Sequence, residues 1–500
     1  MVFNLNPAFE GFLDTRSLLL FAVVFLLLFW WTHTPRNLPP GPINWPFVGS
    51  FPTFAWQSYT SGFGLHKILT YFGNKYGKIC TLNTFGSYMI VISDHQLLKE
   101  ALNNPKINDR YVTNLTVKVF GVNTITNEHF HLYRRFAMTT FRHFGVGKQS
   151  FEKKVATESV ILRKEIIKLQ GESSTLHGFL NNATANVICS VVFGHRYDYN
   201  DDRFKHLMHI ANRYNDALGA GGSENLLPIL ALLPSEAKRE MNATEGPIRD
   251  FITGIVEEHR GNFDSEHIDD FVDAYLHEQE QQGDSITDVR SFLTDDNMRG
   301  NLTTLFIAGA DTTSIVIYWG ILYLLTNPDI QSRVQVELDS VVGRNRFPRI
   351  SDKVNLPYTR AVIQEVFRIA SPVPLAVLHK VNEDTTIGPY NVPKGAIVVP
   401  NIWAIHHDSE VWKDPDEFRP ERFINSRNKV PEVIPFSVGR RSCPGEALAQ
   451  AMVFIFFTHL VHQFTFVTPE GSSKPSMEGE LGIVYKPATF MACAVERDLD

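Results

Sequence analysis

No stretch of this 500-residue chain constrains its fold more than Thr294 to Asn327, TDDNMRGNLTTLFIAGADTTSIVIYWGILYLLTN. Thr294 followed by Asp295 and Asp296 has the form of a helix N-cap with acids in the first turn, and Pro328 stops any helix that reaches it. The segment is therefore predicted to be one helix about 48 Å long at 1.5 Å per residue, enough to cross a whole domain. From Leu302 to Leu325 it is apolar on nearly every face, so the rest of the chain must bury it. At its middle, AGADTT (Ala308 to Thr313) carries two costs with no local benefit. Gly309 loses about 1 kcal/mol against Ala in a helix interior, and Asp311 sets a carboxylate in an apolar run.

A large core is available to bury such a helix: 44% of residues are hydrophobic and thirty-seven are Phe. No interior linker, low-complexity segment or solenoid repeat divides the chain, so the body reads as one unit. The net charge of −7 gives a nucleic-acid partner no electrostatic support. Four scattered cysteines with no CxxC argue against a disulfide framework or a zinc site and suit a reducing compartment.

The N-terminus differs. Leu18 to Trp31 (LLLFAVVFLLLFWW) has no polar side chain, yet fourteen residues fall short of the about twenty that span a bilayer core. A cleaved signal and a buried core helix are the alternatives to an uncleaved anchor. Glu10 and Asp14 offset Arg16, and bulky Phe29-Trp30-Trp31 stands where small residues precede a cleavage site. The paired Trp suit a membrane interface. We expect an anchor over residues 1–34, a proline-rich stiff hinge over 35–50 containing LPPGP, and a body over 51–500. The body reads mainly helical, with short β-prone runs early (Ile79 to Leu82, Tyr88 to Ser93) and late (Thr386 to Asn401, Gly482 to Val495). A second helix, Tyr358 to Ile369, carries Glu365 and Arg368 at i,i+3, and a loop FRPERF supplies Arg422. One carboxylate between two guanidiniums is a plausible buried lock; a surface ion pair is the bland alternative.

Cys443 lies in FSVGRRSCPG. Most lone cysteines are small hydrophobes, and no histidine precedes His459 nearby to activate a nucleophile. Gly439 and Gly445 allow close backbone approach, and Pro444 precedes the helical run EALAQAMVFIFF. A thiolate at such a helix start gains from the dipole and from Arg440 and Arg441. One thiolate without further Cys ligands suits haem iron, whose porphyrin already supplies four nitrogens.

Phe436, Gly439, Arg441, Cys443 and Gly445 match the haem-binding signature of the cytochrome P-450 superfamily, which the chain resembles from anchor to final hairpin. AGADTT resembles its oxygen-activation motif, Glu365 and Arg368 its ExxR, Arg422 its PERF arginine, and Leu38 to Pro42 its hinge. HLYRRFAMTTFRHFGVGK (His131 to Lys148), NVICSVVFGHRYDYND (Asn186 to Asp201) and VPKGAIVVPN (Val392 to Asn401) resemble the microsomal branch that oxidises drugs, fatty acids and steroids. One departure stands out. Phe130 replaces the Trp of a W-x-x-x-R motif, removing an indole N–H donor.

The resemblance implies a mainly α fold with small β-sheets and a haem-thiolate monooxygenase with Cys443 as proximal ligand. Arg110, Arg134, His379 and Arg441 would hold the haem propionates, with Phe436 and Gly445 shaping the cradle. Asp311 and Thr312 would deliver protons on the distal side, where Gly309 would leave room for dioxygen. Glu365, Arg368 and Arg422 would be scaffold. Phe306, Ala310, Val373, Leu375, Val377, Ile483 and Val484 would line an apolar substrate pocket. With no dinucleotide fingerprint in the chain, the resemblance points to a separate NADPH-dependent diflavin reductase, with cytochrome b5 as a further partner, docking on Arg135, Arg142, Lys148 and Arg440. It also implies an endoplasmic reticulum membrane protein with a cytosolic body, which leaves the sequons at Asn114, Asn182, Asn242 and Asn301 idle. Within the fold, a haem-thiolate isomerase or dehydratase is the alternative; outside it, a non-catalytic haem or lipid binder.

Overall fold

The computed structural model describes residues 15–33, 35–111, 129–144, 149–220, 234–281, 293–424 and 430–497. An N-terminal helix α1 (Thr15–His33) leads to α2 (Phe51–Ser61), α3 (Leu65–Tyr76), the hairpin β1 (Ile79–Thr84) and β2 (Ser87–Ile92), α4 (His95–Asn103) and the short β3 (Asp109–Arg110). A helical half follows: α5 (His129–His143), α6 (Gln149–Ile167), α7 (His177–Val192), α8 (Asp202–Ala220), α9 (Glu236–Asn262), α10 (Phe271–Glu280), α11 (Asp295–Thr326), α12 (Pro328–Val342) and α13 (Pro357–Ala370). The chain then forms β4 (His379–Lys380), β5 (Thr385–Ile387), β6 (Tyr390–Val392), β7 (Ile397–Pro400) and α14 (Ile402–His406). It closes with α15 (Glu446–Gln463), β8 (Phe464–Val467), β9 (Gly479–Leu481), β10 (Tyr485–Pro487) and β11 (Cys493–Glu496). The expected class, mainly α with small sheets, is what forms.

Helix α11 is the long central helix, capped by the Thr294 hydroxyl, which accepts the Asn297 N–H, with both acids in its first turn. Pro328 then serves as the first residue of α12. Of its most apolar stretch, 72% is buried within the fold, so this membrane-like composition is that of a core helix. Helices α7, α9, α13 and α15 pack around it and contribute to one aromatic-rich core. Asn301, fully buried in its second turn, cannot carry a glycan.

The main sheet has strand order β1-β2-β7-β4-β3, with β2 and β7 parallel. Alternation along its strands serves two small cores. Met89, Val91, Ile397 and Val399 face one, while Ile90, Ile92 and Val398 face the other. Strands β9/β10, β8/β11 and β5/β6 form separate antiparallel pairs.

From Leu18 to Leu26, α1 leaves every large apolar side chain exposed. The segment after it is more than a spacer. Asn37 O accepts from Asn391 N at 2.9 Å, Pro40 O from Thr81 N at 2.9 Å, and Ser50 N donates to Asn83 O at 2.6 Å. A Cβ at Gly41 would stand 2.0 Å from Thr81 O, so glycine is what lets this strip lie against β1.

Candidate functional site

The Cys443 turn is built by two left-handed residues, Ser437 (φ 61°) and Gly439 (φ 81°). At Gly439 a Cβ would meet Leu102 O at 2.5 Å, so the turn sits directly on the end of α4. Cys443 N donates to Phe436 O at 2.9 Å, closing the loop, and Gly445 caps α15. The Phe436 ring packs on Phe367 of α13 at 5.4 Å, fixing the turn against the core. Protein surrounds Cys443 densely enough that burial pushes its thiol pKa up, although the Gly445 N–H and Arg134 pull the other way. Its side chain is nevertheless exposed. Both hold for a residue on the wall of an internal cleft. A cation against Sγ would supply the charge that burial otherwise withholds from the thiolate.

Helix α11 shows the same interruption. Amid buried neighbours, Ala308 is exposed and Leu305, Gly309, Asp311 and Thr312 are partly so. The Thr312 hydroxyl donates to Ala308 O at 2.7 Å. Val377 (45%) and Ile483 (39%) are exposed apolar residues on neighbouring segments, and Val373 and Leu375 are half-buried.

Three arginines converge between these walls. Arg110 is buried; its Nη1 donates to Val377 O at 2.9 Å and to His379 Nε2 at 2.7 Å, and its Nη2 donates to Arg441 O at 3.1 Å. His379 Nδ1 donates to Ile107 O at 2.9 Å, which leaves Nε2 as the acceptor. Its pKa lies well below the usual value, first through burial and then through Arg110, so it is neutral. Arg134 Nη1 donates to Ser442 O at 2.7 Å, and Arg441 Nε to Asn108 O at 3.0 Å. Burial, then Arg441 and Arg134, push the Arg110 pKa down to about 9; burial and Arg134 push Arg441 down to about 10 against the pull of Asp109. Buried Arg110 Nε has no hydrogen-bond partner among the described residues. Such a cluster suits an anion with more than one charge. Phe130 is buried with the Arg441 guanidinium 3.3 Å above its ring centre. The residue that lacks an indole donor thus provides a face on which Arg441 is set.

A cytochrome P450 family model matches residues 39–494. Cytochrome P450 2J1 of Oryctolagus cuniculus is 35% identical over 99% of both chains. Human cytochrome P450 2J2 is 34% identical over 98% of each, and human cytochrome P450 2U1 33% identical over 95% of this chain and 92% of its own. The chain belongs to the cytochrome P450 family. It is a P450 monooxygenase, and the family implies a haem-thiolate cofactor. The residues present fit that group: an exposed Cys amid dense protein, and three guanidiniums beside it, one with an orphaned N–H, that would meet a porphyrin's two carboxylates.

The remaining expected residues of this P450 fall into three groups. Glu365, Arg368 and Arg422 form the buried lock: Arg368 Nε and Nη2 reach Glu365 at 2.7 and 2.9 Å, and Arg422 Nε reaches it at 2.9 Å. Asp311 occupies a different chamber, a cavity of about 220 Å³ that Ile483 and Val484 also line. Burial raises its pKa to about 6, with Lys486 opposing and Asp216 reinforcing. Arg135, Arg142 and Arg440 are exposed, and Lys148 lies outside the described residues.

Two of the expected pocket residues lie off the open stripe. Phe306 is fully buried, its ring 6.0 Å from Phe193, and Ala310 is buried with its carbonyl accepting the Thr184 hydroxyl at 2.7 Å. Both belong to the face of α11 that packs on α7, and Leu305, Ala308 and Thr312 are the open stripe. Each residue turns a helix by about 100°, so an offset of one or two positions changes the face. Gly309 likewise leaves room for α7. A Cβ there would meet Ile188 Cδ1 at 2.7 Å, so the glycine lets α7 approach α11 closely. Sequence reading missed Ala308 as wall and the Asn215, Asp216, His177 and Lys486 surroundings of Asp311. The first was legible in helical phase; the second joins segments 270 positions apart and had no local signal.

Proposed function

We propose that this P450 inserts one atom of dioxygen into a hydrophobic substrate of the fatty-acid, steroid or xenobiotic class, taking electrons from NADPH through a separate diflavin reductase, with cytochrome b5 as an auxiliary donor. Haem b, when bound, supplies the redox-active iron at which dioxygen is activated. Cys443 holds it as thiolate. Arg110, Arg134 and Arg441 neutralise its carboxylates, and His379 acts through Arg110, accepting its N–H and keeping the guanidinium oriented. The exposed apolar residues Ala308 and Val377 support an apolar substrate.

Asp311 and Thr312 handle protons. With its pKa raised to about 6, Asp311 exchanges a proton at neutral pH far more readily than an ordinary carboxyl. Thr312 Oγ1 stands at the open stripe with its proton donated to Ala308 O at 2.7 Å, so it offers its lone pairs there and donates its proton only by turning away from that carbonyl. The exposed apolar surface of α1 supports a membrane anchor over residues 1–34, on the endoplasmic reticulum with the body in the cytosol. The exposed Arg135, Arg142 and Arg440 suit an acidic electron-donor surface.

One observation carries the reading: an exposed cysteine in a turn whose backbone is gripped by mutually destabilised arginines. The reduced protein with carbon monoxide will show the thiolate-ligated haem spectrum, and Cys443→Ala will lose it. Reconstituted with reductase, Thr312→Ala will keep the haem and release more peroxide per NADPH. An imidazole-type spectrum in the parent protein, or full coupling in Thr312→Ala, would overturn the corresponding assignment. A spin-state screen of fatty acids, steroids and xenobiotics then assigns the substrate class.

A further inference from the structure

Asp311 faces a chamber walled by three other elements: α7 with His177, α8 with Asn212, Asn215 and Asp216, and the segment 482–486 with Lys486. Asn215 Nδ2 donates to Asp311 Oδ2 at 3.4 Å, the chamber's one direct hold on the carboxylate among the described contacts. At the mouth, Lys486 Nζ lies 3.3 Å from Asp216 Oδ1, with side chains 37% and 69% exposed. Polar side chains of α7 and α8 and Lys486 share the walls with apolar Ile315, Ile483 and Val484, and a cavity of about 220 Å³ with several polar groups in its walls admits water.

The mouth is held in register by backbone contact. A Cβ on Gly219 would stand 2.6 Å from Gly482 Cα, so α8 and the hairpin turn touch glycine to glycine. Gly219 lies one turn beyond Asp216 on the same side of α8, so this contact sets where Asp216 meets Lys486. His177 Nε2 is buried in the chamber without a partner. Burial, then Lys486, bring the His177 pKa down to about 4, so the imidazole is neutral and Lys486 and Asp216 are the charges that face Asp311.

We propose that Lys486 and Asp216 are positioning residues of opposite sign for the Asp311 proton relay, closing the chamber through which solvent protons reach it. The inference rests on the reading that Asp311 relays protons. Lys486 favours the carboxylate, and Asp216 favours its protonated form. Breaking either side of the pair therefore shifts Asp311 in a stated direction, which an ion pair screened from the chamber by solvent would not do.

The test is a pH-difference infrared titration of the haem-loaded, full-length enzyme at rest, following the carboxyl stretch that Asp311→Asn abolishes. The parent midpoint is expected near about 6. Lys486→Met will raise it and Asp216→Asn will lower it, each by about half a unit. Lys486→Arg, which keeps the charge, will stay at the parent value. Midpoints that do not move, or that move the same way in Lys486→Met and Asp216→Asn, overturn the gate. Peroxide released per NADPH, measured with the fatty acid giving the largest spin-state shift, separates the two layers. If Asp311→Asn raises that ratio while the midpoints stay fixed, the relay stands and the gate falls. If Asp311→Asn leaves the ratio unchanged, the relay itself falls and the gate with it.

Discussion

The Glu365 lock permits a worked prediction. The Glu365 and Arg368 side chains have no exposed surface, and that of Arg422 is 8% exposed. Glu365 accepts four hydrogen bonds, from Arg368 Nε and Nη2, Arg422 Nε and the Arg419 backbone N–H. Glu365→Gln keeps the shape and removes the charge. One amide oxygen can still accept, but the new NH2 points donor to donor at a guanidinium, and two cations lose their counter-charge. Breaking a buried pair in this way costs about 3–5 kcal/mol. A chain of this size with a bound cofactor unfolds irreversibly, so the readable quantity is a rate. If the loss falls on the unfolding barrier, 3 kcal/mol is a factor of about 160 at fixed temperature, tenfold per 1.36 kcal/mol. Trp412 is buried with Arg368 5.4 Å from its ring centre, so its fluorescence reports the lock directly, alongside loss of the haem-thiolate band. Arg422→Lys, which keeps both positive charges and all of Arg368, will accelerate unfolding far less. A Glu365→Gln protein unfolding within about threefold of the parent would mean that the carboxylate is not held as an ion, and the argument would fail.

Two further outcomes follow from the geometry. Gly309→Ala gains about 1 kcal/mol of helix propensity but drives a methyl to 2.7 Å from Ile188 Cδ1, an overpacking cost of about 1–3 kcal/mol. The single variant will be net destabilised, and thermal unfolding of Gly309→Ala with Ile188→Ala will show less loss than the two singles added. Half-buried His259 donates from Nδ1 to Ile255 O and from Nε2 to Asp270 at 2.9 Å. Although burial lowers its pKa, Asp270 outweighs this and the value is raised to about 9. Its folded pKa exceeds the unfolded one, so its contribution is fully present below about 6.5 and is lost as pH rises through about 9. Unfolding rates across that window will steepen in the parent and flatten in His259→Gln.

How far the sequence could be read depended on whether the cause was local. Thr294, two acids and Pro328 bracket α11 because caps and stops act within a turn, and the structure keeps both ends. Glu365 and Arg368 share a helix face, so their pairing was legible, whereas the arrival of Arg422 from residue distance 57 needed the loop to be recognised as its partner. The Phe306 misassignment has the opposite origin. A helix buried on every face gives no amphipathic phase, so which stripe faces a cleft depends on what packs against it. Gly309 shows the same limit, since its cause is Ile188, 121 positions earlier on α7.

The arginine cluster ties stability to function. Arg110 donates to main-chain carbonyls and a neutral imidazole, which satisfy geometry and leave its charge uncompensated, whereas Arg441 has the Asp109 carboxylate beside it. Arg110 shows the consequence: its guanidinium is pushed down to about 9 by burial and by its two neighbours, and one of its N–H groups has no acceptor among the described residues. A chain selected for stability alone would replace at least one of these cations with an apolar residue. Their retention makes sense where a ligand brings negative charge, because the free energy released on neutralising them is then binding energy for that ligand. The same reasoning explains why Phe130 is sufficient where a Trp would add a donor. The scarce resource at this site is acceptors, and a ring face that holds Arg441 without adding a further N–H leaves the cluster's demand for an anion undiminished.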